Sequence, residues 1–204
     1  MSPLTSTHAF LLGLASGFAL LAITSYRHVS PPWLKALLIG SGMLLIGRDC
    51  SSVFASPHPG SVSVVWGFVA WMARSIGLTL PAVFAIDQLI RHPAMTPHKL
   101  LRWYAPFPII QGAALMGPAI APIAVEVIFL IGFVGVCLML WRKIPSWPIQ
   151  RALLGLVFAY GYLGVSVFLV GCGTGYTLLL YAEMVALLAL WYAYETGARL
   201  QQAP

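Results

Sequence analysis

The chain has 204 residues, of which 60% are hydrophobic and 8% charged. A soluble domain carries about 25% charged residues, so the composition disfavours a soluble enzyme, a disordered chain and a nucleic-acid-binding module, and points to a protein solvated largely by lipid. The formal charge of +6 is read as topological, because basic residues collect in cytoplasmic loops and no basic run is interleaved with aromatics as a nucleic-acid groove requires.

A helix needs about 20 apolar residues to cross the hydrocarbon core. Taken in chain order, seven segments are predicted to do so: His8 to Tyr26, Trp33 to Gly47, Ser61 to Ile90, Lys99 to Gly117, Ile120 to Leu140, Gln150 to Gly171 and Tyr176 to Thr196. The first is read as a retained span, since Met1 to His8 lacks the basic residues of a cleaved signal peptide. The second is short and is extended to about Val53. The third contains Pro81, which predicts a kink or tilt. Pro118 and Ala119 leave room only for a tight hairpin between the fourth and fifth. The expected fold is therefore all-α, one seven-helix transmembrane domain over residues 1–204.

The basic residues alternate from loop to loop. Arg27, His28 and Lys35 lie in the first connection, Arg91, His92, His98, Lys99 and Arg102 in the third, Arg142, Lys143 and Arg151 in the fifth, and Arg199 in the tail. The second connection holds only the opposed pair Arg48 and Asp49. The positive-inside rule then places the N-terminus outside and the C-terminus in the cytoplasm of a plasma (inner) membrane. Trp33, Trp66, Trp103, Trp141, Trp147, Trp191 and Tyr194 fall near the span ends, where aromatic belts form. In this topology Cys50 and Cys172 share the oxidising side, where a disulfide and two separate thiols are equally compatible. Cys137 is expected to pack inside the fifth span.

Lys35-Ala36-Leu37-Leu38-Ile39-Gly40 resembles Arg151-Ala152-Leu153-Leu154-Gly155, and each follows a basic loop containing Pro and Trp. Residues 8–90 and 120–196 are then parallel triplets joined by the span at 99–117. That layout is similar to the three-plus-one-plus-three arrangement of SWEET-type sugar carriers, although the chain lacks the proline–glutamine pair of the related PQ-loop proteins.

Ionisable groups within spans cost several kcal/mol unless paired or hydrated. Arg74, Glu126 and Glu183 are such groups. At 1.5 Å per residue Arg74, Glu126 and Glu183 lie about 20, 9 and 11 Å from the outer ends of their spans, the first of which is the longest, and Gln111 lies about 9 Å in from the same side. Their shared place in the outer half predicts one polar cluster, with Tyr181 beside Glu183 in sequence and Tyr160 and Tyr162 supplying hydroxyls. Arg74 would bind an anionic or polar solute, and Glu126 or Glu183 would be its counter-charge or a proton-coupling group; a static Arg–Glu bridge that fixes helix register is the competing reading. Pro81 frees the carbonyl of Gly77 for a ligand, for Thr79 or for a neighbouring helix. Asp87 with Arg91, and Glu195 with Arg199, are read as interfacial i,i+4 pairs.

The histidines, His8, His28, His58, His92 and His98, all fall in loops or at span ends, so haem ligation from within the spans is not expected. No metal site, cofactor or catalytic set is predicted, and the span at 176–196 lacks the lysine that a retinal Schiff base needs. Gly13, Ala15 and Gly17, Gly132 and Gly135, and Gly161 and Gly164 suggest close helix contacts. The leading functional reading is a carrier or channel-like protein for a small polar or anionic solute, with no enzymatic activity. An accessory subunit of a larger membrane complex follows, then a seven-helix sensor. The expected partners are the lipid bilayer and a membrane protein or second copy of the chain, and no nucleic acid.

Overall fold

The computed structural model describes residues 61–90, 97–118, 120–173 and 176–202, together with the single positions Ala36, Ile39, Gly40 and Met43. The first two predicted spans, and with them Arg48, Asp49 and Cys50, lie outside the described residues. Among those described there are only helices: α1 (Ser61–Ile90), α2 (Pro97–Tyr104), α3 (Pro106–Leu115), α4 (Ala121–Lys143), α5 (Trp147–Gly171) and α6 (Tyr176–Gln202). Lipid offers no partner to a backbone N–H or C=O, so apolar segments of this length close their hydrogen bonds internally as helices. Among the described residues four stretches are long and apolar enough to cross a membrane: Trp71–Ile90, Ala121–Lys143, Trp147–Gly171 and Leu178–Leu200.

The predicted span at 99–117 is instead two short helices. Pro106 and Pro108 have no N–H to donate to the carbonyls of Arg102 and Tyr104. The ladder is interrupted at Ala105, although its backbone stays helical at φ −53°, ψ −36°.

Helices α4, α5 and α6 run up and down in sequence order through the short connections 144–146 and 172–175. Helix α1 packs against α6 and against α3, and α3 leans on α4. In α1, 72% of the apolar span is buried, against 22% in α4; α1 is therefore the central helix and α4 a peripheral one. Leu78, Phe84, Leu130, Leu153, Leu156, Tyr160 and Tyr194 are the largest fully buried side chains. Tyr104, Phe107 and Phe129 pack ring against ring, with Phe107 and Phe129 centroids 4.1 Å apart, and this tie holds the two short helices to α4. Ile109, Ile128, Ile131, Met139, Phe158, Val165 and Phe168 point outward, a surface suited to acyl chains and costly in water.

Close helix approach occurs at glycines other than those expected. A Cβ at Gly171 would meet Ile123 at 3.1 Å, and one at Gly197 would meet Gln88 at 3.3 Å. Gly132, Gly135 and Gly161 have nothing within 4 Å of that position, and Gly164 makes an ordinary contact with Leu130 at 3.6 Å. Glycine spacing marks a smooth stripe on a helix, but it does not say whether another helix lies on it. Gly13, Ala15 and Gly17 are outside the described residues.

The Gly197–Gln88 contact places the C-terminal ends of α6 and α1 together. The basic side chains Lys99, Arg102, Arg142, Lys143, Arg151 and Arg199 consequently gather at one end of the bundle, where α2 begins, α4 and α6 end and α5 begins. Among the described basic residues, only Arg74 sits elsewhere.

Candidate functional site

Arg74, Glu126 and Glu183 come together. Their relative exposures are 4%, 1% and 2%, so all three are buried although each comes from a different helix. Arg74 Nη2 donates to Glu126 Oε2 as a buried ion pair. Its Nη1 lies 3.6 Å from Glu183 Oε1. The guanidinium carbon lies 4.3 Å from the centre of the Trp71 ring, and such stacking favours a cation withdrawn from water. One arginine on α1 thus bridges an acid on α4 and an acid on α6.

Neighbouring polar groups extend the cluster. Ser75 Oγ donates to Glu126 Oε2 at 2.9 Å. Gln111, fully buried on α3, donates from Nε2 to the Pro122 carbonyl at 3.1 Å and approaches Ser75 Oγ at 3.5 Å. A third layer lies one turn further along α1. There Thr79 Oγ1 donates to the Ser75 carbonyl and lies 2.8 Å from Tyr104 Oη. The carbonyls around Pro81 are held by two tyrosines: Tyr160 Oη donates to the Leu78 carbonyl and Tyr194 Oη to the Pro81 carbonyl, each at 2.7 Å. The freed-carbonyl argument identified the right region, but the hydroxyl bonds go to the carbonyls of Leu78 and Pro81.

The structure therefore brings Arg74, Glu126, Glu183 and Gln111 to one level, as their depths predicted. Tyr181 does not join them, being 48% exposed. It lies two residues before Glu183, or about 200° around the helix, and so faces away. Tyr160 is buried one layer further in, while Tyr162 is partly exposed. Cys172 caps the end of α5 as an exposed free thiol, and Cys137 is buried. Glu195 and Arg199 pair at 3.0 Å in an exposed i,i+4 arrangement.

Trp71 and Ser75 were not singled out from sequence. The signal was available, because they flank Arg74 at i−3 and i+1, where a helix presents one continuous face with Leu78. Ser166 was also missed. It is fully buried five residues before the end of α5, at the level of the charges.

Several polar atoms of this layer have no hydrogen-bond partner among the described residues: Arg74 Nε and Nη1, Gln111 Oε1, Trp71 Nε1 and Ser166 Oγ. Buried polar groups are normally satisfied, and each one left over costs about 1–3 kcal/mol. The set contains donors on Arg74 and Trp71 and an acceptor on Gln111, so it can bind a group that both accepts and donates. Among the described residues no three His, Cys, Asp or Glu side chains group to hold a metal ion. Searches of family models, curated proteins and solved structures give no match to the chain.

Proposed function

We propose that this membrane-embedded helical bundle is a carrier or channel-like protein that binds a small polar or anionic solute at the Arg74–Glu126–Glu183 layer. The observation that carries the reading is the coexistence of a buried three-helix charge cluster with unused hydrogen-bonding capacity on Arg74 itself. A clamp that serves only to lock helices gains most when every polar atom in it is satisfied. Here Arg74 commits Nη2 to Glu126 and keeps Nε and Nη1 without a hydrogen bond. A solute acceptor group would take those donors, and a solute hydroxyl or amide would serve Gln111 Oε1. By the positive-inside rule the basic end faces the cytoplasm, and the charged layer then lies in the outer half of the membrane.

Uptake by purified protein in proteoliposomes tests the reading, using a panel of small carboxylates, phosphate, sulfate and polyols. Wild-type protein is expected to accumulate at least one class. Arg74→Ala is expected to abolish that uptake, with Tyr181→Phe unchanged. Uptake unaffected by Arg74→Ala would overturn the assignment.

A second reading, an accessory subunit of a larger membrane complex, is favoured by the outward apolar face of α4, which carries Ile128, Ile131 and Met139. Stoichiometric co-purification with another membrane protein, without solute uptake, would support it instead.

A further inference from the structure

A cavity of about 550 Å³ opens at the basic end of the bundle, between the start of α5 and the last turns of α6. Its walls include Pro148, Trp191, Tyr192, Glu195, Arg199 and Leu200. It lies away from Arg74 and plays no part in the proposed solute site. We propose that it binds a membrane phospholipid whose headgroup carries both a phosphate and a primary ammonium.

The lining side chains on α6 form one stripe. Trp191, Glu195 and Arg199 follow at i, i+4 and i+8, with Tyr192 and Leu200 beside them. From Trp191 to Arg199 the stripe runs about 12 Å along the helix axis. The headgroup region on one side of a bilayer is about 6 Å deep. A phospholipid lying alongside α6 therefore sets its phosphate level with Arg199 and its glycerol and first acyl carbons against Trp191 and Tyr192. Those two rings are 50% and 43% exposed, so the apolar wall is open to such chains. Trp and Tyr are the residues that settle at this depth.

The polar end of the groove selects the headgroup. Glu195 and Arg199 face each other at 3.0 Å and are 36% and 77% exposed. An exposed i,i+4 pair is weak and easily rearranged. A phosphate takes the guanidinium bidentately, and the released Glu195 carboxylate accepts hydrogen bonds from a neighbouring ammonium. The pair has no net charge, which matches a zwitterion. An anionic headgroup would meet Arg199 but also Glu195. A quaternary ammonium has no N–H to give to Glu195.

Native mass spectrometry of the full-length protein, released from detergent after incubation with matched-chain lipids, tests this. The probes are phosphatidylethanolamine, phosphatidylglycerol and phosphatidylcholine. Phosphatidylethanolamine adducts are expected to be retained about fivefold better than either of the others, equivalent to about 1 kcal/mol. Arg199→Gln and Glu195→Gln are each expected to remove that preference. Arg142→Gln, a cation at the same end outside the groove, is expected to keep it. Equal retention of phosphatidylglycerol or phosphatidylcholine, loss of the preference in Arg142→Gln, or retention of no lipid would overturn the proposal. Because the readout is lipid adducts and not uptake, a failure here leaves the solute site at Arg74 untouched.

Discussion

Glu126 holds Arg74 through a single oxygen, Oε2, and that same oxygen accepts from Ser75 Oγ at 2.9 Å. Two consecutive residues of α1 thus converge on one carboxylate of α4. Removing one partner of a buried pair costs about 3–5 kcal/mol when the other charge is left alone; with Glu183 still 3.6 Å from Arg74 Nη1, the lower end of that range applies. Glu126→Ala is therefore expected to destabilise the protein by that order, read by thermal unfolding in detergent. Glu126→Gln, whose amide oxygen can still accept from Ser75, is expected to lose less. A Glu126→Ala protein as stable as wild type would remove the energetic basis for the cluster.

The tyrosines bonded to the carbonyls around Pro81 give a second expectation. Tyr160→Phe and Tyr194→Phe each delete one hydroxyl bonded at 2.7 Å to a buried carbonyl, a loss of about 1 kcal/mol apiece. Tyr181→Phe, on the exposed face of α6, is expected to be neutral. The three melting temperatures, measured side by side, check the contrast.

Glycine substitutions should divide into two groups. Gly171→Ala and Gly197→Ala push a methyl to 3.1 Å from Ile123 and 3.3 Å from the Gln88 backbone and side chain; both are expected to lower the melting temperature. Gly132→Ala and Gly161→Ala meet open space and remove a flexible residue from a helix interior, which favours the helix by about 0.5–1 kcal/mol. A fall in stability for the second pair would contradict the packing described.

Thiol labelling addresses orientation and accessibility together. Cys172 is exposed at the end of the bundle opposite the basic residues, whereas Cys137 is buried in α4. In a Cys50→Ser background, a membrane-impermeant maleimide added to intact cells is expected to label Cys172. Cys137 is expected to react only after denaturation. Protection of Cys172 in intact cells, with labelling after lysis, would reverse the proposed topology.

How much of this was legible depended on the physical quantity involved. Hydropathy gave α1 its limits of Ser61 and Ile90, because apolar length fixes a span. Depth along each helix brought Arg74, Glu126, Glu183 and Gln111 to the same outer half, since rise per residue is constant. Azimuth was overlooked: Tyr181 is near Glu183 in sequence yet faces the other way, and Ser75 was passed over although it adjoins Arg74. Pro106 and Pro108 marked a possible break within 99–117, but apolar length alone kept it one span, because two prolines barely change mean hydropathy while removing two backbone donors. The crowding at Gly171 and Gly197 depends on Ile123 and Gln88, residues distant in sequence, so glycine spacing along one helix could not reveal it.

The interruption at Ala105 has a mechanical consequence. On one side of it, Tyr104 is tied to Thr79 of the central helix; on the other, Gln111 reaches the charged layer from a ten-residue segment. The second segment is fastened separately, by Phe107 against Phe129 and by Gln111 on the Pro122 carbonyl. The two halves are thus moored to different helices, and reaching Arg74 from that side means undoing the moorings on α4 while the tie between Tyr104 and Thr79 stays shut.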